Sequence, residues 1–191
     1  MTLTKKAARS ADPTFEPVTM PEVKAHLRIA ETNEDHHDSI ARLIQVAREE
    51  FEGDTNYILS TGTFVYKLDD WPECESILLP VRPVSSITSI QYVDPNGTTQ
   101  TFSSSNYSLN TTHVLPQIDL AYSSSWPATR VFSNCVTVTF VAGYSLISAI
   151  PARAKQACLI KVEQLFDGDQ KELLSRTYEW LIKKFMRPTY P

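Results

Sequence analysis

The hydrophobic period of this chain changes twice, and that pattern limits the folds open to it. Before residue 60, apolar side chains recur at three- and four-residue steps. Ile40, Leu43, Ile44, Ala47 and Phe51 make one stripe, as an amphipathic helix requires. From Thr61 to Tyr144 the period is two. TFVYKL, SITSIQYV, TTQTF, YSLN and CVTVTFVAGY are short runs rich in Val, Ile, Thr and aromatic residues, the composition and spacing of strands. DPNG at 94–97 separates two of these runs and is a hairpin turn signal. The helical period then returns and lasts to the end. A strand-period segment cannot bury its apolar set as a helix, nor the reverse. The order therefore predicts an α+β fold. Two N-terminal and two C-terminal helices form a helical unit, residues 17–60 and 145–191. A small antiparallel β sandwich or barrel module, residues 61–144, is inserted between its second and third helices.

Local signals set the helix ends. Thr19 and Glu22 are three apart, the spacing of a capping box, and Val18 and Val23 occupy the staple positions. Pro21 is tolerated in a first turn because its missing N–H would be unpaired there. This first helix is predicted over about 19–29, with Val23 and Leu27 inward. The second is predicted from Asp35 to Glu52, ended by Gly53-Asp54. In the third, Pro151 takes the first helical position and Ala154, Ala157, Cys158, Lys161 and Leu165 share a face, with Gly168 as the breaker. The last runs from Asp169 to Phe185, with Asp169 and Glu172 as a capping pair and Pro188 as the stop. Its stripe, Leu173, Leu174, Tyr178, Leu181, Ile182 and Phe185, is the most regular in the chain. Residues 1–16 are polar, carry Lys5, Lys6 and Arg9, and are predicted to form a flexible arm.

Composition excludes several function classes. Net charge is −4, against the basic excess of general nucleic-acid binders. No apolar run is long enough for a membrane span, and the lysines near the start lack the apolar core of a secretory signal. Cys74, Cys135 and Cys158 are odd in number and have no CxxC spacing, which argues against a disulfide framework or a structural zinc site. The glycines at 53, 62, 97, 143 and 168 are isolated, so no phosphate-binding loop forms. Ser145 in AGYSL lacks the frame of a nucleophile elbow.

Four local clusters could carry chemistry. NEDHHD at 33–38 holds Glu34 and His37 at the ExxH spacing of di-iron bundles, but the second ExxH and the two further glutamates are missing. His36 and His37 are adjacent and diverge by about 100° on a helix. The cluster fits better as a charged helix start, with Glu34, Asp35 and Asp38 at the positive end of the dipole. Asp69, Asp70, Glu73 and Glu75 surround Trp71, either as a carboxylate site or as a solvated edge. Trp126 is a binding anchor or a pin that fixes its loop to the sheet. Arg130 can hold a neighbouring subunit or a local carboxylate. No catalytic set, metal site or cofactor site is expected.

Five pieces occur in a fixed order: PVTMPEVKAHLRI; EDHHDSIARLIQVAREEFE; LLPVRPVSSITSIQYVDPNGTTQTF with NYSL; SWPATR; and VTVTFVAGYSLISAIPARAKQACLI. Over roughly residues 17–166 this layout resembles the head–tail connector, or adaptor, proteins of tailed bacteriophages. The resemblance implies a virion structural protein of the neck, made in the host cytoplasm, with no enzymatic activity, no cofactor and no membrane partner. It implies a homo-oligomeric, dodecameric ring under the portal protein that extends the DNA channel. Genomic DNA passes through the lumen without sequence-specific binding, and a downstream neck, stopper or tail protein docks below. On that view Leu173, Leu174, Tyr178, Leu181, Ile182, Phe185, Arg187 and Tyr190 are the portal or subunit contacts. Their helix also carries Lys171, Arg176, Lys183, Lys184 and Arg187 against Asp169, Glu172 and Glu179. The alternatives are a tail terminator or neck stopper, a hydrolase using Asp69, Asp70 or Glu73, and a cytosolic binding module.

Overall fold

In the computed structural model, residues 7–11, 13–130, 132–167 and 171–186 are described. They contain four α-helices and two antiparallel sheets, an α+β fold. The chain divides into two units, residues 13–60 with 144–191, and residues 1–12 with 61–143.

The helical unit begins with α1, Met20–His26. Thr19 caps it: its Oγ1 accepts from the Glu22 N–H, and the Glu22 carboxylate accepts from the Thr19 N–H at 2.7 Å. Val18 and Val23 are both buried. The helix is shorter than its sequence pattern implies. Arg28 turns left-handed at φ 58, and Ile29 N–H donates to Lys24 C=O while Arg28 N–H donates to Ala25 C=O. This pair of backward bonds closes the helix end. Removing the Thr19 hydroxyl (Thr19→Ala) is expected to cost about 1 kcal/mol, checked by urea unfolding. Thr19 also holds the Glu22 carboxyl below its usual value, the hydrogen bonds outweighing desolvation. The carboxylate contribution is therefore present at neutral pH and lost as pH falls through the folded-state value.

Helix α2 is His37–Thr55. It starts two residues later than the acidic run suggests and passes through Gly53-Asp54. Space around Gly53 is open, and the stop is instead Asn56, left-handed at φ 53, a conformation asparagine tolerates. Ile40, Ile44, Ala47 and Phe51 are buried as the stripe predicts, and Leu43 packs at the edge of that core. Helix α3 is Ala152–Phe166, with Pro151 as its N-cap rather than its first residue. Ala154, Ala157 and Cys158 are fully buried in the core shared with residues of α2 and α4. Leu165, expected inside, is 40% exposed, while Ile160 and Val162 are buried in its place. Helix α4 is Lys171–Ile182. Gly168 and Asp169 lie outside the described residues, so the breaker and capping roles expected of them do too.

In the β unit, β1 (Ala8–Arg9), β2 (Gly62–Leu68), β4 (Val84–Val93), β5 (Thr99–Phe102) and β8 (Val136–Ala142) form one sheet in the order β1-β2-β8-β4-β5. A second sheet orders β3 (Ser76–Leu78), β7 (Gln117–Leu120) and β6 (Tyr107–Asn110) as β3-β7-β6. Strand β8 is central, and Val136, Val138, Phe140 and Ala142 alternate into the core. The DPNG turn joins β4 to β5. Asp94 Oδ1 accepts from the N–H groups of Asn96 and Thr98, and Gly97 sits at φ +85. The short strands β3 and β7 escape a periodicity reading because each buries one residue, Ile77 and Ile118, which face each other across the ladder. Strand β1 pairs Ala8 with Val65 and Arg9 with Phe64, so part of the segment expected to be a flexible arm is an edge strand. Residues 1–6 lie outside the described set. Among the described residues no helix is long and apolar enough to cross a membrane.

Candidate interaction surfaces

Helix α4 carries most of the residues predicted to contact partners, and the structure divides them. Leu174, Tyr178, Leu181, Ile182 and Phe185 point inward and belong to the core of the helical unit. Phe185 packs edge-on against Phe51 and Tyr57, with ring centroids 5.4 and 5.1 Å away. Tyr178 donates to Asp54 Oδ2 at 3.0 Å, and the Lys161 ammonium, itself paired with Glu50, lies 4.9 Å from its ring centroid. Burial, with the Asp54 charge beside it, raises the Tyr178 hydroxyl well above its ordinary value. The most regular stripe in the sequence is thus satisfied within the chain. Of the two roles open to this stripe, a partner's groove or the protein's own helices, these five side chains are used in the core of the helical unit. Leu173 does not follow the stripe inward and is 63% exposed. Arg187 and Tyr190 lie outside the described residues.

The outward side of α4 has its own character. Trp180 is 63% exposed. The Arg153 guanidinium of α3 sits 4.3 Å from its ring centroid and donates from Nε to the Leu181 carbonyl at 2.8 Å. One face of the indole is therefore held and the other is open. Leu173 and Trp180 are seven residues apart, on one side of the helix, with Arg176 exposed between them and Lys183 and Lys184 exposed beyond. Sequence pattern passed over Trp180, although a tryptophan that falls off an otherwise regular stripe is itself a signal of an outward anchor.

The NEDHHD segment is a helix start. His36 is the N-cap residue of α2 but makes no side-chain capping bond. Asn33 Oδ1 instead accepts from the Asp35 N–H at 2.8 Å, and Ser39 Oγ donates to the His36 carbonyl. The His37 ring pairs with Glu34 at 3.0 Å, and Glu34 also receives Lys24 at 3.4 Å. The ExxH spacing is used for a local Glu34–His37 side-chain contact. Among the described residues no group of three side chains able to hold a metal ion occurs. His36 meets Phe166 edge-on, and Glu31, Glu34, Asp35 and Asp38 are all exposed.

In the β unit, two of the three carboxylates predicted as possible catalytic groups, Asp69 and Asp70, hold loops, and the third, Glu73, is exposed. Asp69 Oδ1 accepts from the Asn134 N–H at 2.7 Å, and its carbonyl accepts from the buried Cys135 thiol. Asp70 Oδ1 accepts from its neighbour's N–H and from Thr129 Oγ1 at 3.0 Å. Trp126 stacks on Trp71 at 4.6 Å and donates from Nε1 to the Cys74 carbonyl. Both rings meet Phe102, and Phe102 stacks on Tyr107. Trp126 is therefore a pin that ties its loop to this aromatic cluster. Arg130 donates its N–H to the Val93 carbonyl, and its side chain passes over Gly97 at the edge of an open hollow shared with Phe132. It makes no ion pair among the described residues.

No family model matches the chain, and no curated protein matches it. Solved structures do. A chain in the neck of an empty gene transfer agent (GTA) particle, computed with C6 symmetry, superposes with a TM-score of 0.80 at 20% identity, covering 97% of both chains. A chain of the virion of a native gene transfer agent particle gives 0.81 at 19% identity with the same coverage. A chain from the neck of a native particle, computed with C12 symmetry, gives 0.75 at 20% identity, again over 97% of each chain. At this identity the likeness establishes the fold.

Proposed function

We propose that this chain is a non-enzymatic structural component of the neck of a tailed phage or phage-like particle. It is a head–tail adaptor that assembles as a ring of about a dozen copies beneath the portal. The observation that supports this most is the end-to-end agreement of the fold, over 97% of both chains, with chains from the neck and virion of gene transfer agent particles. The sixfold and twelvefold symmetries applied to those necks favour a ring of copies. The carboxylate loop spends Asp69 and Asp70 on loop anchoring, which favours a structural role over a hydrolase. The net charge of −4 suits a lumen that lets DNA slide, because basic contacts to phosphate would hold it.

The portal contact is assigned to the C-terminal segment beyond Met186, which carries Arg187 and Tyr190. Cutting further back, at the end of α3, would strip Tyr178, Leu181 and Phe185 from the core and so could not separate docking from folding. Deletion of residues 187–191 is expected to leave the helical unit folded and to weaken portal binding by about tenfold or more, as loss of a docking anchor does. Mixing the full chain and the deletion with portal rings, and imaging the complexes, checks both parts. Full chains that never associate with portal would overturn the adaptor reading. A deletion that binds portal undiminished would overturn only the role of the tail.

A further inference from the structure

We infer that the outward stripe of α4 docks against the acidic α1–α2 loop of a second copy of this chain. The inference rests on the ring reading and names the surface that builds the ring.

A ring of copies needs two different, complementary surfaces on different sides of each subunit, because a head-to-tail contact joins unlike patches. The helical unit carries such a pair. Helix α3 lies between α1 and α4. Arg153 reaches α4, while Lys155 pairs with Glu22 of α1 at 3.7 Å, and Glu163 pairs with His26 of α1 at 2.9 Å. At about 100° per residue, Lys155 points roughly 160° and Glu163 roughly 80° away from Arg153, both in the same sense round the helix. The α1 flank and the α4 flank are therefore on different sides of α3.

Their chemistry is complementary. The α4 flank exposes Leu173 and Trp180, with Arg176 and Lys184 on the same stripe. Measured round the helix from Leu173, Lys184 falls about 20° away and Arg176 about 60°, whereas Glu172 and Glu179 fall about 100° and 120° away on the Arg176 side, so the cations lie nearer the apolar residues than the carboxylates do. The α1 flank ends in Glu31, Glu34, Asp35 and Asp38, all exposed. Glu34 is held by Lys24 and His37, whereas Glu31, Asp35 and Asp38 form no ion pair among the described residues. Among the described residues Arg176 and Lys184 form none either. Trp180 is pre-positioned by Arg153 on one face and open on the other. A fixed exposed tryptophan between basic residues is the composition of an interface anchor, and the matching acidic patch is on the same chain.

Charge reversal tests the pairing. R176E/K184E alone sets acid against acid, and E31K/D35K alone sets base against base. Each single set is expected to weaken ring assembly by about tenfold or more, while all four changes in one chain restore opposite charges and recover most of it. Trp180→Ala is expected to weaken assembly as well. The readouts are the mass distribution across a concentration series, with and without portal rings, and urea unfolding to show that each variant is folded. Rings indifferent to both single sets, or losses that the four-fold variant does not recover, would overturn this surface and leave the ring reading standing. Wild-type chains that stay monomeric alone and with portal would overturn both. Rings of full mass that lose only portal binding in R176E/K184E would assign the stripe to portal and also overturn the self-contact.

Discussion

Arg48→Ala should destabilise the helical unit by about 3 kcal/mol, the low end of the range for breaking a buried ion pair. Arg48 has only 4% of its side chain exposed and holds three carboxylates: Glu16 at 2.9 Å, and Glu52 and Glu49 at 3.3 Å. Two of these connect different parts of the unit. Glu16 precedes α1, and Glu52 uses its other oxygen to accept the Leu59 N–H at 2.9 Å. Removing the guanidinium takes a counter-ion from Glu52, 10% exposed, and from Glu16, 31% exposed. Partial solvation of Glu16 and Glu49 keeps the loss from the upper end of the range. Burial already pushes the Glu16 carboxyl above its usual value despite Arg48, and without Arg48 it rises further. A carboxyl with a raised folded-state pKa binds more protons folded than unfolded, so stability falls as pH rises through it. The deficit of Arg48→Ala relative to wild type should therefore shrink as pH is lowered from 7 toward 5. Urea unfolding at both pH values checks this, and a deficit that widens on acidification would contradict the assignment.

The helices and the hairpin were legible in the sequence because each has a local cause. The Thr19–Glu22 capping box, the Ile40–Phe51 stripe and the DPNG turn are all set within a few residues of chain. What local pattern missed depends on partners far away in sequence. Strand β1 is two residues paired with β2, more than fifty positions on. Strands β3 and β7 are defined by one isoleucine facing another. The end of α2 moved from Gly53 to Asn56 because a glycine permits a stop but does not force one when the helix has packing to follow. Thr55 is buried there and donates its hydroxyl to the Phe51 carbonyl.

The candidate site was half legible. Pattern located α4 as the element of interest and identified its stripe, but a stripe does not say whose core it enters. Leu174 and Leu173 are adjacent, equally apolar, and opposite in fate: one is buried and the other is 63% exposed. The difference comes from the fold of the unit, which takes Leu174 into one core with Ala154, Ala157 and Cys158 of α3. The outward anchor, Trp180, gained its significance from Arg153, twenty-seven positions earlier, and no periodicity connects the two.

The inward and outward sides of α4 and the turn that follows it should separate cleanly under mutation. Phe185→Ala removes a ring that is 7% exposed and in edge-on contact with Phe51 and Tyr57. It is expected to cost about 3 kcal/mol or more, as large-to-small changes of buried aromatics do. Trp180→Ala removes an equally large apolar group, but one that is 63% exposed. Its loss within the monomer is the cation–π contact with Arg153 and a little packing, about 1 kcal/mol or less. In assembly the order should reverse. Trp180→Ala should abolish or strongly weaken association at unchanged fold, whereas Phe185→Ala should impair it only as far as the unfolded fraction grows. The effect of Phe185→Ala on assembly should then be recovered by working at lower temperature or with a stabilising osmolyte, and that of Trp180→Ala should not. Urea titration paired with mass measurement on the same samples reads both quantities. A Phe185→Ala chain with wild-type stability but lost association would place the inner stripe at a partner surface instead of in the core. A Trp180→Ala chain destabilised as much as Phe185→Ala would mean that the indole supports the unit itself, and the outward stripe would lose its claim to a partner.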